Sequence, residues 1–142
     1  MEVTHDYVDL ETAKLLKKLE FDVPCQTTYN EEEEIEDAFD YVDSILFTVD
    51  DVNNASLNDF LVYLRPEHWQ VIKWLRLKYN LHVHSVCTYN SKEYTWCVYI
   101  GHDRETYMPH WENEDYRFPS TSEEAELEAI KYCLNNLIDG NK

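Results

Sequence analysis

The sequence predicts an α+β fold with two layers, in which helices pack on an antiparallel sheet of about three strands. Two observations predict it. Apolar residues recur at helical spacing in "PEHWQVIKWLRLKY" and again in "TSEEAELEAIKYCLNNLIDG". Between these helices, two runs of strand-forming residues, 81–89 and 94–101, flank the turn "NSKE". The order α-β-β-(β)-α therefore spans about residues 66–138, preceded by an extra N-terminal helix and an acidic segment.

The N-terminal helix is predicted from "DLETAKLLKKLEF". Asp9 is a suitable N-cap residue, and Leu15, Leu16 and Leu19 form an apolar stripe. Pro24 ends the helical pattern, and a short extended stretch, "CQTTY", follows it. We expect this helix to precede the main α-β-β-(β)-α core.

Residues 26–64 form the segment that is hardest to interpret. Between Leu19 and Leu64 there are thirteen acidic residues and no Lys or Arg. "SILFTV" has the composition of a short strand, and "VNNASLND" that of a loop. We expect an acidic, partly mobile insertion inside a single domain that covers residues 1–142.

The main core follows in order. Pro66 suits the first turn of its first helix. If Tyr89 faces Tyr94 across the turn, the strand pairs are Cys87–Trp96, Ser85–Val98 and Val83–Ile100. Alternation then buries Cys87 and Trp96 on one face and places His82, His84 and Cys97 on the other. "HDRETYMPHWENEDYRFPS" is expected to hold a third, edge strand. The last helix begins at a Thr121–Glu124 capping box and ends at Gly140.

The net charge of −17 excludes several classes of partner. Its long-range field repels phosphates, so we expect no nucleic acid and no anionic membrane as partner, and a basic protein instead. The two glycines, Gly101 and Gly140, are too few for a phosphate-binding loop, and we expect no cofactor.

Cysteine usage and the N-terminus predict a reduced, cytoplasmic protein. The four cysteines are far apart and form no Cys-x-x-Cys pair, so we expect them to be buried as small apolar residues. The start "MEVTHDYVDL" is acidic and polar, unlike a signal peptide. No segment approaches the roughly 20 apolar residues that span a membrane.

Three stretches together resemble a family of small, uncharacterised acidic proteins from gut Bacteroides-type bacteria and their prophages. These are "LETAKLLKKLEFDVPC", "RPEHWQVIKWLRLKYNLHV" and "STSEEAELEAIKYCLNNL". The resemblance implies a cytoplasmic α+β protein carried by mobile elements, with no activity or catalytic residue to transfer. The element order is also similar to that of double-stranded-RNA-binding domains, but Glu123, Glu124 and Glu126 stand where those domains carry lysines. An acidic helix start argues against RNA.

The histidines His82 and His84 are the candidate metal ligands. Two imidazoles at i and i+2 of one strand share a face, and Cys97 lies on that face, diagonal to His84. A third or fourth ligand would come from His102 or His110. The alternative is a solvent-facing strand with no metal, since complete metal motifs usually show a second ligand pair at fixed spacing.

A Cys/His nucleophile is the second chemical candidate, with Cys97 and His84 as the pair that alternation allows. Cys25, just after Pro24, is a further candidate if its thiol is exposed, and it has no predictable partner. Paired carboxylates cannot be singled out among twenty-nine acids. The run Glu31–Glu34 lacks the alternating oxygen ligands and central glycine of a calcium loop.

A strip of large apolar residues is the candidate partner-binding surface. Its members are Tyr107, Met108, Trp111, Tyr116 and Phe118. Exposed, they have the composition of a protein interface; buried, they fill the core beneath a loop. The acidic run Glu31, Glu32, Glu33 and Glu34 is the second candidate surface.

The sequence therefore favours a non-enzymatic interaction or accessory protein of mobile-element origin, whose acidic surface binds a basic protein. One alternative is a mimic of DNA charge that inhibits a nucleic-acid-binding protein. The other is a metal-dependent or Cys/His-dependent enzyme, which would need a pocket containing His84 and Cys97.

Overall fold

The computed structural model describes residues 6–38, 46–57, 61–88, 92–101, 105–109 and 115–138, and for residues 56 and 57 the backbone alone. It shows an α+β fold with helices and antiparallel sheets, as the sequence predicts. Its contacts divide the chain between Gln70 and Val71 into two compact units. Each unit contains a three-stranded sheet. The single domain expected from the length stays a prediction.

The first unit contains the helices α1 (Leu10–Lys18) and α2 (Val49–Leu57) and a sheet of β1 (Thr27–Asn30), β2 (Ile35–Asp37) and β3 (Val62–Leu64). β1 is the central strand and pairs antiparallel with both neighbours. The predicted extended stretch "CQTTY" thus supplies the central strand. The segment 26–64, expected as an insertion, carries three strands and a helix in its described parts, and its partial mobility stays a prediction.

Local hydrogen bonds fix both ends of α1. The Asp9 carboxylate accepts from the Thr12 backbone N–H at 2.9 Å, which confirms the predicted N-cap. At the other end, the N–H groups of Glu20 and Phe21 donate to the carbonyls of Lys17 and Leu16. This is the Schellman arrangement, so the helix ends well before Pro24.

α2 corrects the predicted loop "VNNASLND", because this segment is helical as far as Leu57. The Thr48 Oγ1 accepts from the Asp51 N–H at 3.2 Å, and the Asp51 carboxylate accepts from the Thr48 N–H at 2.8 Å. This reciprocal cap overcomes the weak helix propensity of the asparagines. In "SILFTV", Phe47 forms an isolated bridge with Cys25 and Val49 already belongs to α2; Ser44 and Ile45 lie outside the described residues.

The helix α3 (His68–Tyr79) begins two residues after Pro66, later than predicted, and crosses the division between the units. The second unit continues with β4 (Leu81–Cys87), β5 (Tyr94–Ile100), β6 (Thr106–Tyr107) and α4 (Ser122–Tyr132), which runs into a π-helical turn, Cys133–Leu137. β5 is central and pairs antiparallel with β4 and with the short edge strand β6. One half of the predicted capping box is present, since the Glu124 N–H donates to Thr121 Oγ1; the Glu124 carboxylate accepts from the N–H of Ser120, one residue before the N-cap. Gly140 lies outside the described residues.

The pairing of β4 with β5 differs from the predicted register by two residues. Val83 lies opposite Val98, Ser85 opposite Trp96 and Cys87 opposite Tyr94. This register pairs the buried side chains of Val83 and Val98. A shift of two residues leaves every side chain on its predicted face.

The expectation that all four cysteines are buried was wrong for two of them. Cys25 and Cys133 are buried, Cys97 is half-buried, and Cys87 is exposed. Cys87 is on the same face as Trp96, but α4 begins beside Ser85, whose Oγ lies 2.7 Å from that of Ser122. Cys87 therefore lies beyond the start of the covering helix.

The buried side chains of the second unit come from α3, β4, β5, α4 and the π-helical turn: Val71, Trp74, Leu75, Leu81, Val83, Trp96, Val98, Ala125, Ala129, Ile130, Cys133, Leu134 and Ile138. Ala125 and Ala129 let α4 approach the strands β4 and β5 closely, because their side chains are small. Among the described residues, no helix is long and apolar enough to cross a membrane.

Candidate functional site

An open cleft of about 470 Å³ in the second unit is the candidate functional site. The described residues that line it include large apolar side chains from β5, α4 and the segments after β6, and two carboxylates. They are Trp96, Met108, Tyr116 and Tyr132, with Asp115 and Glu128; the lining also includes Pro109, the cation of Lys131 and the amides of Asn135 and Asn136. Aromatic walls with a few polar groups are typical of binding sites in proteins.

The aromatic walls are held by ring contacts between separate elements. The ring centroids of Trp96 and Tyr132 are 5.3 Å apart, and those of Tyr107 and Tyr132 are 5.9 Å apart. Tyr116 and Phe118 form an edge-to-face pair at 5.2 Å. Such contacts stabilise by about 0.5–1.5 kcal/mol each beyond the area they bury. The cleft is therefore built on packed side chains from a strand and a helix.

Tyr116 and Glu128 place a fixed acceptor in this cleft. The Tyr116 hydroxyl donates to Glu128 Oε1 at 3.0 Å. Burial, this hydrogen bond and the charge of Glu128 together raise the pKa of Tyr116 well above its ordinary value. The phenol therefore stays protonated at neutral pH, and the Glu128 carboxylate can still accept from a ligand, since a carboxylate offers about four lone-pair sites.

The buried indole of Trp96 is a second polar feature of the cleft wall. Trp96 is 3 % exposed, and its N–H has no hydrogen-bond partner among the described residues. Burying an unpaired donor costs about 1–3 kcal/mol, so this N–H lowers the stability of the unit.

The structure brings most of the predicted aromatic strip to this cleft. Met108, which is 51 % exposed, and Tyr116 line it, whereas Tyr107 and Phe118 support its walls. Trp111 lies outside the described residues. The sequence did not indicate Trp96, Glu128 and Tyr132 as site residues. The i, i+4 spacing of Glu128 and Tyr132 is a signal that could have indicated them, because it places both on one face of α4.

The acidic run Glu31–Glu34 forms the turn between β1 and β2 in the first unit. Glu31 is 41 % exposed and is tied to its neighbours in the unit: the Tyr63 hydroxyl donates to its carboxylate, and Lys14 Nζ lies 3.3 Å away. The hydrogen bond from Tyr63, then that from Lys14, lowers the pKa of Glu31. Glu32, Glu33 and Glu34 are exposed. All four carboxylates of the run are therefore exposed to solvent, and that of Glu31 also interacts with Tyr63 and Lys14.

The histidine face is arranged differently from the predicted metal site. His84 lies directly opposite Cys97, not diagonal to it. The Tyr99 ring stacks on His82 and His84 at 5.3 and 5.2 Å. His84 Nε2 lies 2.9 Å from the Tyr99 hydroxyl, and His82 Nε2 lies 3.0 Å from Asn80 Oδ1. Both Nε2 atoms are thus engaged within the sheet.

Two further ligand candidates, His102 and His110, lie outside the part of the chain that the structure describes. Within that part, no group of three or more His, Cys, Asp or Glu side chains is placed to hold a metal ion. What the structure shows for the imidazoles of His82 and His84 is an aromatic stack with Tyr99.

The two thiols considered as nucleophiles, those of Cys97 and Cys25, lack the activation that a nucleophile needs. Burial raises the pKa of Cys97, whereas a nucleophilic cysteine needs a lowered one. Cys25, which would have to be exposed to act as a nucleophile, is 1 % exposed, and burial raises its pKa to about 12. The structure therefore supports no Cys/His nucleophile among the cysteines proposed for it.

Neither a family model, nor a curated protein, nor a solved structure matches this chain.

Proposed function

We propose that this protein is a non-enzymatic interaction protein that binds a basic protein partner through the cleft beside α4. The observation that carries the proposal is the combination of aromatic walls, from Tyr116 and Tyr132, with the carboxylates of Asp115 and Glu128, which outnumber the one cation of the lining, Lys131. A lysine or arginine side chain fits this combination, because its cation is attracted to aromatic faces and to carboxylates.

The charge of the whole chain supports the same partner. A net charge of −17 attracts a basic protein over a distance and speeds its association. Contacts within the cleft would then select the partner. The resemblance to mobile-element proteins extends the proposal to an accessory role in the cytoplasm of a bacterium.

Binding of short labelled peptides tests the proposal. Peptides matched in length and rich in lysine, arginine, glutamine or glutamate are titrated with the protein and followed by fluorescence polarisation. We expect the basic peptides to bind and the glutamine and glutamate peptides not to bind. Affinity should fall as NaCl rises from about 0.05 to about 0.5 M.

Matched variants locate the binding. Glu128→Gln should weaken binding of the basic peptides about tenfold, because it removes a charged hydrogen-bond acceptor. Glu123→Gln on the same helix removes an exposed charge outside the cleft, and it should change affinity little. Equal losses in both variants would reject the cleft and leave only a non-specific attraction to the acidic surface.

Mimicry of DNA remains the rival function. Exposed carboxylates occur at the start of α4, on Glu123 and Glu124, and on the turn Glu32–Glu34. A mimic would compete with DNA for a DNA-binding protein, and it would depend on these exposed residues and not on Glu128. Competition lost in Glu123→Gln and retained in Glu128→Gln would favour the rival.

A further inference from the structure

The helix α3 exposes large apolar side chains beside cations. Leu77 is 71 % exposed and Trp69 is 60 % exposed. Lys73, also exposed, lies midway between them in sequence. Because residues four apart share a face of a helix, Trp69, Lys73 and Leu77 form one stripe, and the exposed Arg76 lies beside it. This stripe is named here the α3 stripe.

The charge of α3 is opposite to that of the chain. Its twelve residues include three of the twelve Lys and Arg and none of the twenty-nine acids. Lys78 lies over the rings of Trp74 and Tyr79, at 5.3 and 5.6 Å from their centroids, on another side of the helix. Lys73 and Arg76 lie beside the exposed leucine, whereas the Trp69 N–H donates to the Glu67 carboxylate at 2.9 Å. The α3 stripe is therefore both basic and apolar around Leu77.

We infer that the α3 stripe docks an acidic amphipathic segment of a partner protein, and this inference is independent of the proposed function of the cleft. An amphipathic segment places an apolar side chain against Leu77 and Trp69 and its carboxylates near Lys73 and Arg76. Burial of Leu77 removes from water an apolar side chain that α3 itself leaves exposed.

Charge complementarity selects this occupant over nucleic acid. Phosphates would pair with Lys73 and Arg76 but would leave Leu77 and Trp69 without apolar contact. A duplex also carries one charge per roughly 1.7 Å and extends beyond a patch of this size into the field of a −17 protein. A short acidic segment interacts mainly within the roughly 8 Å over which charge acts at physiological salt.

The test uses defined peptides. The probe is a short labelled peptide that alternates leucine and glutamate at helical spacing. One control peptide has serine in place of leucine, another has glutamine in place of glutamate, and a labelled DNA duplex is the third. We expect measurable binding of the probe alone. The inference would be overturned if the duplex binds and the probe does not, or if the serine peptide binds with the same affinity as the probe.

Variants of the chain complete the test. Leu77→Ser and the double variant Lys73→Gln/Arg76→Gln should each lower the affinity for the probe about tenfold. Lys92→Gln removes an exposed cation elsewhere and should leave the affinity unchanged. Glu128→Gln should also leave it unchanged, which separates this surface from the cleft. Unchanged affinity in Leu77→Ser would overturn the inference even if the probe binds.

Discussion

At the scale of single residues, the scarcity of glycine has a structural consequence. The chain has two glycines, and among the described residues three that are not glycine adopt positive φ: Glu20 at 60°, Glu33 at 62° and Asn80 at 56°. Glu20 follows α1 and Asn80 follows α3, at the positions where helices commonly end on glycine. A side chain in this region costs about 1–2 kcal/mol, and asparagine tolerates it better than glutamate. Glu20 is therefore a strained helix end.

Replacement of Glu20 by glycine should stabilise the protein. Glu20→Gly removes the clash of Cβ at positive φ and keeps the backbone bond from residue 20 to the Lys17 carbonyl. We expect the free energy of unfolding to rise by about 1 kcal/mol, measured by urea denaturation. The control is Glu11→Gly in the first turn of α1, which should lower it by up to about 1 kcal/mol. A fall in both variants would show that residue 20 carries no strain.

At the scale of elements, the sequence predicts the helix ends and strand faces that neighbouring residues in the chain determine. The Thr121–Glu124 box indicates the start of α4, and alternation assigns both faces of β4 and β5 correctly. The register of that pair was not predictable, because it depends on which four residues form the turn. α2 was missed because its asparagines suggest a loop, while its cap at Thr48 and Asp51 has aspartate in the place of the usual glutamate.

Only part of the lining of the candidate site could be predicted from the sequence. Met108 and Tyr116 belong to an aromatic strip that is visible in the sequence. Trp96 and Tyr132 read as ordinary core positions of a strand and a helix, and their ring contact joins residues far apart in the chain. Periodicity indicates which face of an element is apolar, but not which end of that face opens into a cleft.

The hairpin of β1 and β2 gives a prediction about pH. Interaction with Tyr63 and Lys14 lowers the pKa of Glu31, so the folded state holds its carboxylate charged more firmly than the unfolded chain does. The stabilisation is present above the ordinary pKa of a glutamate and is lost as the pH falls through the lowered value.

Glu31→Gln should therefore reduce the dependence of stability on pH in this acidic range. The free energy of unfolding, measured by urea denaturation at a series of acidic pH values, should fall less steeply in the variant than in the parent chain. Glu32→Gln, an exposed residue of the same turn, is the matched control and should keep the parent slope. An unchanged slope in Glu31→Gln would show that the network does not contribute to stability.

At the scale of the whole molecule, like charges dominate. Seventeen more negative than positive charges on a chain of this size repel one another in the folded state and less in an expanded one. The described network of Lys14, Glu31 and Tyr63 is a local attraction within this larger repulsion. Salt weakens both, but the interactions of an exposed ion pair are worth only about 0–1 kcal/mol. The repulsion summed over the molecule should therefore decide the sign of the response to salt.

We accordingly expect NaCl to stabilise the protein at neutral pH. Raising NaCl from about 0.02 to about 0.5 M shortens the range of charge interactions from over 20 Å to below 5 Å, and it should raise the free energy of unfolding by on the order of 1 kcal/mol. Thermal and urea denaturation measure it. The control is the same series near pH 4.5, the isoelectric point of the sequence, where the net charge vanishes. There the stabilisation should disappear, because no net repulsion is left to screen. A decrease in stability with NaCl at neutral pH would mean that attractive pairs outweigh the net charge.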